Sequence, residues 1–113
     1  QAWRCRVRLA KSDLERDASL LDDLCEEMEQ AGDVTLAMQH RLTLAVRPEA
    51  DIERAHALLI RAQQVGIWPI ATAAEAWIIA HSGKAPDALA KDAESRGYKS
   101  LASRIRSYPL GAG

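Results

Sequence analysis

Few residues of this chain have the types and spacing that chemistry needs. Glu53-Arg54-Ala55-His56 has the Glu-x-x-His spacing that puts a carboxylate and an imidazole on one helix face, as in carboxylate di-metal bundles. Such a centre takes two copies of the motif plus further glutamates, and the chain has a single copy. His40 and His81 have no ligand-type neighbour at helical spacing. Asp22, Asp23, Glu26 and Glu27 offer paired carboxylates, but general acid–base work needs a cleft that shifts a pKa. The charged outer strip of a helix accounts for the same four acids. No Gly-x4-Gly-Lys-[Ser/Thr] or Gly-x-Gly-x2-Gly loop occurs, and no nucleophile motif. Cys5 and Cys25 are too few for a disulfide scaffold. Cys25 falls on an apolar helix face, which suits a buried free thiol; a Cys5–Cys25 bridge is the alternative. The expectation is a chain without metal, cofactor or catalytic residues.

The elements that would position these groups follow from a spacing. Gly32, Gly66 and Gly97 lie 34 and 31 residues apart. Leu24, Leu58 and Leu89 stand eight residues before them, and Met28, Ala62 and Ala93 four before. Leu36, Ile70 and Leu101 stand four residues after, followed by Ala37, Ala71 and Ala102. Positions −8 and −4 share one helix face. The glycine ends that helix in a left-handed turn. The alanine lets a second helix approach closely. The first helices are expected over 13–31, 51–65 and 86–96, and the second over 34–46, 70–81 and 98–107. Ser12 with Glu15 forms a capping box, Asp33 and Ser100 suit N-caps, and Pro69 suits a first turn. Pro48, Gly83 and Pro109 close the three units.

This pattern resembles the tetratricopeptide family, with its 34-residue helix–turn–helix unit and Gly-x4-Ala step. Gly32-Asp33 with Ala37, Leu44 and Pro48 carries the resemblance most closely, over a region spanning 13–107. The resemblance implies a short right-handed solenoid of about three antiparallel helix hairpins, with units at 12–48, 49–83 and 84–109. It also implies scaffold or regulatory roles in larger proteins, including helical-repeat sensor regions of bacterial transcription activators. The expected fold class is therefore all-α. Residues 1–11 are read as the last helix of a preceding, truncated unit. Their alternation of Trp3, Cys5, Val7 and Leu9 with Arg4, Arg6 and Arg8 leaves a strand paired with 41–46 as the alternative.

Composition agrees. The chain has 113 residues, 48% of them apolar and 27% charged, enough for one core and too apolar for disorder. Aromatics are only 4% and Phe is absent, while Ala and Leu favour helix. Net charge is −1, against a general nucleic-acid binder. The longest apolar stretches, such as 76–80, are far short of a membrane span. Arg4, Arg6 and Arg8 interrupt any signal-peptide run, so a cytoplasmic protein is expected. The chain opens on Gln1 and closes on Gly111-Ala112-Gly113, as a piece of a longer protein does.

Charge is segregated. Residues 1–11 carry +4, 12–33 carry −8, 34–83 balance, and 84–113 carry +3. On helix 13–31, Leu14, Ala18, Leu21, Cys25 and Met28 form the inward stripe. Glu15, Asp22, Glu26 and Glu29 form a second stripe whose like charges repel. That repulsion points to a basic partner: another protein, or the Arg4–Arg6–Arg8 segment or basic last unit of a second copy. Trp68, at a turn, is the candidate aromatic anchor. The function expected is a non-catalytic protein- or peptide-binding module, its concave face lined by the first helices. A regulatory domain of an enzyme and a helical-repeat RNA reader are the alternatives.

Overall fold

A computed structural model describes residues 18–47 and 49–111, with side chains from Leu21 onward. The described residues form six helices and no strand. They are α1 (Ala18–Gln30), α2 (Val34–Ala45), α3 (Ile52–Val65), α4 (Trp68–His81), α5 (Asp87–Ser95) and α6 (Lys99–Ser107). The all-α expectation holds, and each helix falls within two residues of its expected span wherever its ends are described. Because Arg41–Ala45 belong to α2, pairing of 2–10 with 41–46 as strands is excluded. Residues 1–11, Ser12, Leu14, Glu15, Cys5 and Pro48 lie outside the described residues, as does the side chain of Ala18.

The repeat has a hydrogen-bond counterpart. Gly32, Gly66 and Gly97 adopt φ of +95°, +84° and +90°, where a side chain would be strained. The residue after each glycine donates its N–H back to the carbonyl at the −4 position. These bonds are Asp33 to Met28 at 2.8 Å, Ile67 to Ala62 at 3.0 Å, and Tyr98 to Ala93 at 2.9 Å. The −4 residue is fully buried in each case, as Met28, Ala62 and Ala93, while its backbone carbonyl closes the helix.

Some details differ from expectation. Pro69 is in the first turn of α4 as expected, but the helix opens at Trp68, two residues earlier than expected. Ser100 lies inside α6, because the return at Gly97 hands the N-cap position to Tyr98. Asp33 occupies the N-cap of α2 without a side-chain cap bond. Asp51, overlooked in the sequence, caps α3 by accepting from the Glu53 N–H at 3.0 Å.

Each helix packs on its neighbour in sequence, and α4 also touches α2 and α6. Among the described residues, α1, α3 and α5 make no such backbone approach to each other. Leu21, Cys25 and Met28 are fully buried as expected, joined by Leu24, Ala37 and Leu44 in a small core under α1. A larger core runs from Met38 through Leu58 and Trp77 to Ile105. Ala37 and Ala102 are fully buried, whereas Ala71 is only half-buried. In α4 the neighbouring Ile70, Ala73, Ala74 and Ala76 take the inward positions, because that helix is covered from several sides. The outer face of α6 is polar, with exposed Lys99, Ser100, Ser103, Arg104 and Arg106.

Candidate functional site

The acidic stripe of α1 meets arginines of its own chain. Asp22 accepts two hydrogen bonds from the Arg54 guanidinium, at 2.9 and 2.7 Å. This hydrogen bond is the main reason the Arg54 pKa is raised. Glu29 accepts from Arg41 at 2.8 Å and from Arg61 at 3.4 Å. Asp23 and Glu26 remain exposed, and Glu15 lies outside the described residues. Both contacts between α1 and α3 join residues 32 apart. The sequence carried the signal, since acids seven apart on α1 face arginines seven apart on α3. Between the helices lies a cleft of about 370 Å³ edged by Glu29, Arg41, Arg54 and Arg61, over Leu58.

Cys25 sits behind this network, fully buried as a free thiol. Burial is the main cause of its raised pKa, with Arg41 opposing and Asp22 adding to it. A thiol held protonated in this way is poorly nucleophilic.

A second equivalence links the outer units. Glu29 and Arg41 stand three residues before and nine after Gly32. Glu94 and Arg106 stand at the same offsets from Gly97 and pair at 3.0 Å. In the middle unit these offsets are Gln63 and Glu75, both exposed. The first and last hairpins thus share an ion pair at matching offsets that the middle one lacks.

Trp68 is half-buried at its turn. Tyr98 lies against it with ring centroids 5.4 Å apart, and the Arg96 guanidinium sits 4.4 Å from its centroid. The turn of the last unit thereby closes over the turn of the middle one. Trp77 packs edge-on against Tyr108 at 5.1 Å and lies in the core.

A larger groove of about 610 Å³ crosses the second helices. Its walls are Gln39, Leu42 and Thr43 of α2, Pro69 and Ile70 of α4, and the stretch 97–101 with Arg104 at α6. Pro69, Tyr98 and Leu101 supply its accessible apolar surface, over the buried Leu42 and Ile70. Lys99 and Arg104 are its charged groups, and no carboxylate lines it. The α6 N-terminus opens here without a side-chain cap, leaving the positive end of its dipole uncompensated. The sequence hinted at this surface only through the +3 charge of 84–113.

Glu53 and His56 are exposed on α3, and no group of three His, Cys, Asp or Glu placed to hold a metal occurs among the described residues. No described helix is long and apolar enough to cross a membrane. No protein-family model, curated protein or solved structure matches the chain.

Proposed function

We propose that this chain is a non-catalytic, protein- or peptide-binding helical-repeat module, serving as a scaffold or regulatory part of a larger protein. The observation that carries the proposal is the 610 Å³ groove, because all three units contribute a second helix to it. A surface shared by successive repeats suits an extended ligand better than a small substrate. The module is read as a tetratricopeptide-like, right-handed stack of three antiparallel hairpins. The glycine returns and the equivalent Glu–Arg pairs of the outer units support that reading. The free thiol of Cys25 suits a reducing, cytoplasmic-type compartment.

This reading moves the partner surface away from the acidic stripe, where Asp22 and Glu29 already have cationic neighbours. Panning the chain against a random peptide library on phage tests it. Enriched peptides should shift the amide resonances of Thr43, Ile70, Ser100 and Leu101. They should leave those of Ile60 and Gln64, on the outside of α3, unmoved. Failure to enrich any peptide, or shifts confined to the first helices, would sink the proposal.

A further inference from the structure

Resting on that peptide-binding reading, we infer that the groove across α2, α4 and α6 takes an acidic segment of a partner protein carrying an aliphatic anchor. Three features of the groove select this occupant. Its charged rim is Lys99 and Arg104, with no carboxylate to answer either. Lys99 opens α6, where a cation faces the positive end of the helix dipole and folding gains nothing from it. An incoming carboxylate answers both the side chains and the unmatched N–H groups of that first turn. The groove also leaves Pro69, Tyr98 and Leu101 part-exposed over the buried Leu42 and Ile70, apolar surface that a bare anion leaves uncovered but a Leu or Ile side chain covers.

Arg96, next in sequence to Gly97 of the groove wall, is held by Trp68 and by Asp92 at 3.2 Å, so it does not compete for the ligand. A second copy of the chain is the rival occupant. The exposed strip of α1 offers Asp23, Glu26 and Gln30 but no aliphatic side chain among them. It matches the rim and not the floor.

The phage selection decides, read now for composition. Enriched peptides should be net acidic and should contain Leu or Ile. Their affinity should fall as salt rises, because exposed charges are screened beyond about 10 Å at 0.1 M. The doubly substituted chain, Lys99→Glu with Arg104→Glu, should bind them about tenfold more weakly or worse, since attraction becomes repulsion. Both residues are exposed, so its helical circular dichroism should match the parent; Arg104→Gln alone is the milder check. Groove-binding peptides that are neutral or basic, or that bind the reversed chain equally well, overturn this inference and leave the module reading standing. If no peptide is enriched, both readings fall. Sedimentation that shows a salt-sensitive dimer of the chain alone, lost on reversal, would make a second copy the occupant instead.

Discussion

The middle unit and the two outer units solve the same joining problem by different means. In the outer units a glutamate before the glycine meets an arginine nine residues after it, at 2.8 Å in one and 3.0 Å in the other. The middle unit has Gln63 and Glu75 at those places. It is held by burial instead: α4 packs against α2, α3, α5 and α6 and buries Ile70, Thr72, Ala73, Ala74, Ala76, Trp77 and Ala80. A helix covered on several sides has no need of a surface ion pair, which contributes only about 0–1 kcal/mol. An outer helix has fewer apolar neighbours, and a long charged pair also shields the apolar surface beneath it. The contrast predicts that the outer units each have a salt-sensitive ion pair to lose, and that the middle unit has no equivalent pair at those places.

The largest effect should come from Tyr108, whose ring seals Trp77 of the middle helix. Burial pushes its pKa up to about 12, with Arg104 acting in the opposite direction. A group whose pKa is raised on folding stabilises the fold below its unfolded pKa, near 10, and that stabilisation is lost as pH rises through 12. Over that window the chain should lose about 2–3 kcal/mol to this group alone, measured by urea unfolding. Tyr108→Phe should abolish the slope. It should cost nothing near neutrality, because the hydroxyl has no hydrogen-bond partner among the described residues. Parallel losses in parent and variant between pH 10 and 12 would remove the seal from the account.

The alanines come next and separate the units directly. Ala37 and Ala102 are fully buried in the outer units. Replacing either with Leu should destabilise by about 1–3 kcal/mol through overpacking. The same change at half-buried Ala71 should stay within about 0.5 kcal/mol of the parent. Equal costs at all three would mean that α4 is seated as the outer second helices are.

That alanine comparison shows where the sequence was legible. Helix spans and glycine returns are local, so periodicity and one permissive residue were enough to locate them. Ala71 was misplaced because the pattern assumes that each second helix presents the same face, whereas α4 meets neighbours on several sides. Ser100 was misplaced because a helix that starts at Lys99, two residues before the start that a Ser100 cap requires, turns the cap into a first-turn residue. The acidic stripe was visible, but its answering arginines were not, because each helix was considered alone. The groove joins residues from 39 to 104 and exists only once three units have packed. No single stretch of the chain could announce it.

The smallest effect is the sharpest test of the repeat. Arg106→Ala removes the Glu94 pair and should cost about 0.2–1 kcal/mol, less at high salt. The middle unit offers the converse experiment. Gln63 and Glu75 stand at the offsets of the Glu–Arg pair, both exposed, with the acid on the second helix rather than the first. Gln63→Arg supplies the missing cation and should stabilise by about 0.2–0.5 kcal/mol at low salt. Adding Glu75→Gln should erase the gain, so the coupling in the double-mutant cycle isolates the new pair from any change in helix propensity. Urea unfolding at two salt concentrations measures both. If Gln63→Arg is neutral at low salt while Arg106→Ala is costly, the offsets do not place equivalent side chains together. The shared spacing of the outer pairs would then be a coincidence of two units rather than a rule of three.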